Sequence, residues 1–295
     1  MSSLHKQAGK IEPGELTLVI NATEGRLQLA LGRPAAQAGA QNETGEPELL
    51  AAQDWQAVAQ GAELLAPALE QMLRNLKLKP GHIGKIAAVT GPGGFTGLRL
   101  ATVTASALAR ALGAASAGLE YLPLLAAGAR DFLENTDYFW AVTHARRGLI
   151  YAQGFSRSRE RRSELLPLHP LAVLRLEELP ELLAAITLFN SAPCSASVIF
   201  GSGLSKNFAA LAPELGRVCA GFRLMPHCLD HPAPRLLLQA ALAARYDRED
   251  LAPLYARASD AEDNLPQIAD SLGLGRHYAK ARLAELLNEP ARSSR

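Results

Sequence analysis

The sequence has few aromatic residues, few cysteines, almost no net charge and no long apolar run. Phe, Trp and Tyr make up 5% of its 295 residues, so the core must be built from aliphatic helices and strands. The formal net charge of +1 gives no electrostatic reason to expect a nucleic-acid or membrane partner. Because no apolar run approaches the ~18 residues of a membrane-spanning helix, we expect a cytoplasmic protein with no membrane contact.

The three cysteines, Cys194, Cys219 and Cys228, lie far apart and form no Cys-x-x-Cys pair. Reduced thiols in a cytosolic protein are the simplest interpretation, and we expect neither a disulfide nor a metal site. With 48% apolar and 20% charged residues, the composition is that of an ordinary globular protein. The chain is long enough for two lobes.

Short apolar runs alternate with helical patterns and predict an α/β fold. Leu16 to Asn21 reads as a buried strand, and Arg26 to Leu31 alternates as its antiparallel neighbour after the turn Thr23-Glu24-Gly25. The second half repeats this order less clearly, which is a weak sign of a duplicated lobe. The remaining predicted helices cover 63–76, 98–112, 177–186, 206–211 and 234–246, and the remaining strands cover 83–90, 138–143, 148–155, 165–168 and 198–200.

We divide the chain into four parts. Residues 1–15 are expected to form a disordered tail, 16–115 an N-terminal lobe that carries partner-binding helices, 116–262 a C-terminal lobe, and 263–295 a C-terminal helical tail.

A glycine-rich loop follows the strand at 83–90 and leads into the next helix. Such a loop lets the backbone approach a partner closely and leaves amides free at a helix N-terminus, where an anion could bind. It is neither a phosphate loop, since no Lys follows the last Gly, nor a dinucleotide loop. Thr96 is placed to cap the helix. The loop consists of Gly91, Pro92, Gly93, Gly94, Phe95, Thr96 and Gly97, with Arg99 one turn further on.

The loop sequence GPGGFTGLR at 91–99 resembles the GPGSFTGLR signature of the TsaB (YeaZ) family, with Gly94 in place of the usual Ser. Three other segments follow the family order. LVINATEG at 18–25 resembles its opening strand and turn, HARRGLIYA at 144–152 its DARxGEVY hairpin, and PLYARASDAE at 253–262 its closing PxYLR segment.

This resemblance implies an ASKHA (acetate kinase/Hsp70/actin-like) fold with two ribonuclease-H-like lobes. Family members pair with the catalytic homologue TsaD, and the pair recruits the ATPase TsaE. TsaC makes the threonylcarbamoyl-adenylate that TsaD transfers to the adenosine beside the tRNA anticodon. The complex uses ATP, but we expect no cofactor on this chain itself.

The cleft residues that an enzyme of this fold would need are altered here. The resemblance places Asn21 and His144 where the family has Asp, and Leu149 where it has Glu. Catalytic members also hold a metal through two histidines on one helix, and we expect no His-x-x-x-His spacing in this chain. Glu24 is a possible substitute carboxylate, although an exposed turn residue is the simpler interpretation. The degenerate cleft comprises Asn21, Thr23, Glu24, His144 and Arg146.

We therefore expect a non-catalytic scaffold subunit that activates TsaD and helps dock TsaE. One alternative is an ATP-dependent kinase or a glycoprotease-like hydrolase on the same fold. The other is a diverged homodimeric binding protein, and the resemblance also allows a homodimer in the absence of TsaD.

The helix after the glycine loop is apolar nearly all round and rich in Ala, so we expect it to be covered on more than one face. Together with the preceding helix it predicts the partner-binding surface, the family's TsaD-binding region. The predicted interface residues are Leu65, Leu69, Met72, Leu76, Leu98, Ala101, Ala105 and Leu108.

Six arginines form the one basic cluster of the sequence. Acidic residues interleave with them, so we expect tRNA contact to be indirect or weak. We also expect the Gly201-Ser202-Gly203 turn to be structural. The cluster comprises Arg146, Arg147, Arg157, Arg159, Arg161 and Arg162.

Overall fold

The computed structural model describes residues 11–35, 46–56, 60–133, 136–161, 164–190, 197–218, 222–225, 227–257, 269–271 and 273. The chain divides into two compact units, Met1–Ala256 and Arg257–Arg295. The predicted tail at 1–10 and nearly all of the predicted helical tail lie outside the described residues. The tail prediction is wrong for residues 11–15, because Gly14 N donates to Gly81 O at 3.0 Å.

The first sheet contains five strands in the order β3-β2-β1-β4-β5. β1 pairs antiparallel with β2 and parallel with β4, β2 pairs antiparallel with β3, and β4 pairs parallel with β5. The strands are β1 Leu16–Asn21, β2 Arg26–Arg33, β3 Glu48–Gln56, β4 Ile83–Gly91 and β5 Ala115–Glu120.

Two helices, α1 Gly61–Asn75 and α2 Phe95–Leu112, pack on this sheet. Every residue of β1 is buried, as its uninterrupted apolar run predicts for a central strand. Leu65 of α1 and Ala101 of α2 lie in one cluster with Leu18 of β1. The helices therefore use their small and aliphatic faces to cover the sheet.

The second sheet has the order β10-β9-β6-β7-β8. Its pairings repeat those of the first sheet, since β6 pairs antiparallel with β7 and parallel with β9. The predicted duplication is confirmed by this shared strand order. The strands are β6 Tyr138–Arg146, β7 Leu149–Arg157, β8 Leu165–Arg175, β9 Ser197–Phe200 and β10 Arg223–Leu224.

The described residues up to 257 contain five more α-helices. They are α3 Tyr121–Phe132, α4 Glu178–Asn190, α5 Ser202–Lys206, α6 Phe208–Val218 and α7 Pro234–Ala243. A large hydrophobic cluster contains α3 and α7 together with strands of both sheets, for example Val19 of β1 and Phe139 of β6. This shared core joins the lobes.

The predicted lobe boundary is wrong in two places. The first sheet continues through β5 to Glu120, beyond the predicted end at 115. The segment after β10 also returns to the first lobe, because α7 packs on β1 and β2 and Leu254 N donates to Thr90 O at 2.7 Å. Local patterns could not reveal this return, since it depends on contacts between residues more than a hundred positions apart.

Several element predictions need correction as well. β5 and α3 were not predicted, because the small residues of β5 lack the β-branched character of a typical strand. The predicted helix at 206–211 is two helices, α5 and α6, which meet at Asn207. No helix among the described residues is long and apolar enough to cross a bilayer.

Candidate interlobe cleft and partner surface

The turn between β1 and β2 is a tight two-residue hairpin. Arg26 N donates to Thr23 O at 3.0 Å, and Glu24 and Gly25 have φ values of 57° and 69°. A turn with two left-handed residues matches the twist of a hairpin, but it favours Asn-Gly rather than Glu-Gly. Glu24 thus holds a conformation that costs an L-residue roughly 1–2 kcal/mol.

Asn21 is fully buried and supports this turn. Its Nδ2 donates to Gln28 Oε1 at 2.7 Å, and its Oδ1 accepts from the backbone N and the hydroxyl of Thr23 at 3.0 and 2.7 Å. Gln28 Nε2 in turn donates to Pro232 O at 2.9 Å. The nitrogen and the oxygen of the Asn21 side-chain amide therefore both have hydrogen-bond partners within the protein. These bonds fix the β1–β2 turn at the entrance to the cleft.

Glu24 reaches from the first lobe to the second. Its side chain is only 2% exposed, so the interpretation of an exposed turn residue is wrong. Glu24 Oε2 accepts a short hydrogen bond from Ser202 Oγ and lies 3.6 Å from Lys206 Nζ. Burial raises the pKa of the Glu24 carboxyl, although the Ser202 hydrogen bond and the Lys206 charge partly oppose the increase.

His144 lies opposite this carboxyl, on β6. Its backbone N donates to Ser202 Oγ at 3.0 Å, whereas its Nδ1 has no hydrogen-bond partner. Burial, and then the charge of Lys206, lower the pKa of the imidazole, which favours its neutral form. Arg146 is at the end of β6, paired in register with Leu149 after a bulge. The structure thus brings Glu24 and His144 to the same serine.

Four further polar residues border this region and were not identified from the sequence. Ser205 Oγ donates to Asp230 Oδ1 at 2.8 Å, and the Tyr121 hydroxyl lies 3.0 Å from His231 Nδ1. Burial is the first cause both of the raised pKa of Tyr121 and of the lowered pKa of His231. They come from three separate segments with no shared motif, since Asp230 and His231 are adjacent, so only the fold identifies them.

The expectation that the chain lacks a histidine pair at metal-binding spacing is wrong. His227 and His231 are four residues apart and flank Cys228. They do not share an α-helix, because His227–Leu229 is a single 3₁₀ turn. His227 Nδ1 lies 3.4 Å from Asp230 Oδ2. Among the described residues, no group of three or more His, Cys, Asp or Glu side chains is arranged to hold a metal ion.

The glycine loop brings α2 against the β1–β2 turn. A Cβ at Gly97 would lie 1.9 Å from Ala22 O, whereas one at Gly94 would meet nothing within 4 Å. The position where the family usually has Ser therefore has room for that side chain. Thr96 is not the N-cap, because α2 begins at Phe95 and Gly94 occupies the cap with extended backbone.

The segment after α7 closes over the same loop. Arg99 Nε donates to the Tyr255 hydroxyl at 2.9 Å, and the Arg99 guanidinium lies 3.9 Å from the centroid of the Phe95 ring. Phe95 and Tyr255 stack with their centroids 5.0 Å apart. A Cβ at Gly91 would lie 2.9 Å from Leu254 O. Of the two roles that the sequence allows for the loop, these contacts favour the structural one. Residues 258–262 of the closing motif lie outside the described residues.

Most of the predicted partner-interface residues are not on the surface. Six of the eight are buried in the chain's own core. The interface assignment is therefore wrong for Met72, Leu98, Ala101 and Ala105, whereas Leu65 and Leu69 also line the groove described below. Their side chains cover the first sheet, whose central strand is buried on both faces. The six are Leu65, Leu69, Met72, Leu98, Ala101 and Ala105, whereas Leu76 and Leu108 are half-buried.

An apolar groove nevertheless lies between the outer sides of α1 and α2. Its volume is about 410 Å³. Val103 of α2 is 65% exposed, the highest exposure among the large apolar side chains described. Ala66, on α1, is also exposed and borders the groove. We call the groove together with Val103 the helical surface; its lining includes Leu65, Leu69, Leu73, Thr104, Leu108 and Leu112.

The basic cluster is only partly available to a ligand. Arg157 donates to the carbonyls of Thr136 and Leu133 at 2.8 and 2.9 Å, so it ties the end of α3 to β7. Arg159 and Arg161 are exposed, and Arg162 lies outside the described residues. The arginines therefore do not form one continuous patch in the part of the chain that is described.

The buried Glu24 carboxyl leads to a pH-dependent prediction. Burial holds the pKa of this carboxyl above its ordinary value of 4.5 in the folded chain, so the folded state loses stability as the pH rises from about 4.5 through the folded pKa. Glu24→Gln keeps a hydrogen-bonding group but carries no charge. We expect it to increase the free energy of unfolding at pH 8 by about 1 kcal/mol or more, with a much smaller gain at pH 4. Urea titrations at both pH values measure the difference.

Glu63→Gln is the matched control, because Glu63 is exposed on α1. It should change stability by less than about 0.5 kcal/mol at either pH. A Glu24→Gln protein that is less stable than the wild type at pH 8 would mean that the pair with Lys206 outweighs the cost of burial.

The geometry described so far defines a class of protein. Two lobes with the same strand order enclose a cleft, and the predicted two-lobed ASKHA fold is confirmed. The family model of TsaD, tRNA N6-adenosine threonylcarbamoyltransferase, matches residues 56–263. The chain belongs to this family.

Solved structures agree with the fold. A Pseudomonas aeruginosa protein described as similar to the peptidase YeaZ is 18% identical; the alignment covers 82% of this chain and 100% of that one, with a TM-score of 0.58. YeaZ of Pseudomonas aeruginosa is 19% identical over 82% and 99% of the two chains, with a TM-score of 0.57. A search of curated protein sequences gave no match. The family model and the two structural matches together confirm the recognition of a TsaB (YeaZ) relative.

Proposed function

We propose that this chain is a non-catalytic, TsaB-type scaffold subunit of the machinery that synthesises threonylcarbamoyladenosine in tRNA. In this role it pairs with and activates a TsaD homologue in the cytoplasm, and the pair helps dock the ATPase TsaE. ATP is used by the complex and is not assigned to this chain. The observation that carries the proposal is the apolar groove between α1 and α2 on a TsaD-family fold.

The contacts in the cleft support a structural role for Asn21 and Glu24. Asn21 uses its amide to fix the β1–β2 turn, and Glu24 contacts Ser202 across the lobes. A carboxylate that orients water or a metal must have oxygens free to do so. Glu24 is instead nearly inaccessible, with its side chain 2% exposed. This arrangement favours a scaffold over the alternative of a kinase or hydrolase.

The helical surface supports pairing with a related subunit. Water-exposed apolar side chains that border a groove are typical of protein interfaces. Val103, with 65% exposure, and the apolar lining of the groove provide such a surface on the lobe that also carries the glycine loop. A diverged homodimer would use the same surface, so the identity of the partner must be tested directly.

The function is tested by reconstitution. Purified TsaC, TsaD and TsaE of the same organism are incubated with tRNA, threonine, bicarbonate and ATP, with and without this chain. We expect threonylcarbamoyladenosine to rise at least tenfold when the chain is added. Nucleoside analysis by mass spectrometry measures the product. Unchanged product in the presence of the folded chain would contradict the scaffold role.

Val103→Arg combined with Ala66→Arg should abolish that stimulation, whereas His144→Ala, which keeps the backbone hydrogen bond to Ser202, should not abolish it. Both arginine substitutions are on exposed positions, so they alter the helical surface with little effect on folding. An enzyme that needed its own cleft would show the opposite pattern.

A further inference from the structure

The contact between Glu24 and Ser202 joins two rigid parts of the molecule. Glu24 is on the β1–β2 turn, and Gly97 holds that turn against the start of α2 with space for a hydrogen but not a methyl group. Ser202 is the first residue of α5. A Cβ at Gly203 would lie 2.8 Å from Val142 Cγ1, so α5 is pressed on β6 of the second lobe. Each end of the contact is thus fixed to its own lobe.

The hydrogen-bond roles at Ser202 are defined by its neighbours. Ser202 Oγ accepts from His144 N, so its own proton is directed to Glu24 Oε2. Lys206 Nζ, one turn further along α5, lies 3.6 Å from the same oxygen and is half-exposed. The carboxyl therefore binds a hydroxyl and approaches an ammonium group, both of the opposite lobe.

Glu24 maintains this contact at a local cost. Its backbone is left-handed, with φ of 57°, and its carboxyl is almost completely removed from water. A left-handed backbone conformation and a buried carboxyl at the same residue persist only where the surrounding structure enforces them. Such strained residues cluster at functional and switch positions. The proposed scaffold role does not account for either feature.

We infer that Glu24 is a latch between the two lobes: its buried carboxyl, bound to Ser202, holds the cleft closed, and loss of this contact lets the lobes separate. The shared core of α3 and α7 would then act as the hinge. This inference goes beyond the proposed function, because a latch would regulate the shape of the chain whatever partner it binds.

The latch should loosen as the pH rises, because the closed state favours the protonated carboxyl. The charged groups that face it are Lys206 on α5, which opposes this effect, and Asp230 in the loop before α7, which adds to it. Tyr121 at the start of α3 also lies within range of the Glu24 charge.

Hydrogen–deuterium exchange of the full-length chain tests the latch. We expect Glu24→Ala to accelerate exchange at least tenfold in residues 22–26 and 202–206 at neutral pH, while β1 keeps its wild-type rate. Glu24→Gln should exchange no faster than the wild type, because its amide oxygen still accepts from Ser202 and it carries no buried charge. Glu63→Ala is the control for loss of an exposed carboxylate.

Strand β1 separates opening from unfolding, since a destabilised chain would exchange faster there as well. If Glu24→Ala is too unstable to measure, Ser202→Ala removes the other half of the contact. Where both single variants can be measured, the double variant Glu24→Ala/Ser202→Ala should exchange no faster than the faster of the two. Wild-type exchange in both segments of either single variant, or equal acceleration by Glu24→Gln and Glu24→Ala, would overturn the inference.

Discussion

Gly97→Ala is expected to destabilise the chain by about 2–4 kcal/mol, the range of severe packing errors in a protein core. Helix propensity alone predicts that Gly97→Ala would stabilise the chain, since Ala is favoured over Gly by about 1 kcal/mol inside a helix. The close approach decides the outcome, because a Cβ at Gly97 would lie 1.9 Å from the carbonyl oxygen of Ala22. That oxygen belongs to the backbone before the β1–β2 turn, so relief requires α2 or the turn to move.

Gly94→Ala is the matched control, because Gly94 is the N-cap of the same helix, three residues before Gly97. A Cβ there meets nothing within 4 Å. Its backbone is extended, with φ of −67° and ψ of 132°, which Ala adopts without strain. We expect a change below about 1 kcal/mol, and urea denaturation of the two variants measures the contrast. Equal stabilities would contradict the close packing of α2 on the turn.

The sequence patterns predicted the parts of the fold that depend on short-range order. β1 and β2 are recognisable because a buried run and an alternating run flank a turn with Gly25. α1 and β4 were predicted within a few residues of their ends. β5 was missed because small residues form a strand there only through pairing with β4. The return of α7 to the first lobe has no local signal at all.

The candidate site was predictable only in part. The resemblance of residues 91–99 to a family signature identified the glycine loop, and it led to the prediction that Asn21 and His144 are cleft residues. The burial of Glu24 could not be predicted, because it depends on Ser202, which lies 178 residues away in the chain. Ala101 and Ala105 were misassigned for a related reason, since an alanine face packs equally well on a partner or on the chain's own sheet.

The helical surface is expected to contribute most of the free energy of pairing. Val103→Arg combined with Ala66→Arg places one charge in the groove lining and one on the exposed α2 residue next to Thr104, which lines the groove. Desolvating two unpaired charges should weaken pairing at least 100-fold. By the relation between affinity and free energy this corresponds to about 2.7 kcal/mol. Arginine at Ala101 or Ala105 would be uninformative, because both are completely buried and the substitution would disrupt folding.

Phe208→Arg is the control for this experiment. Phe208 is 51% exposed at the start of α6 in the second lobe, so the substitution replaces an exposed apolar side chain by arginine away from the groove. We expect this variant to pair like the wild type.

The most direct measurement is size-exclusion chromatography with light scattering of this chain mixed with the TsaD homologue of its own organism. The account predicts a heterodimer with the wild type and with Phe208→Arg, and separate components with Val103→Arg/Ala66→Arg. A chain that remains a monomer or homodimer in the presence of TsaD would contradict the proposed scaffold function.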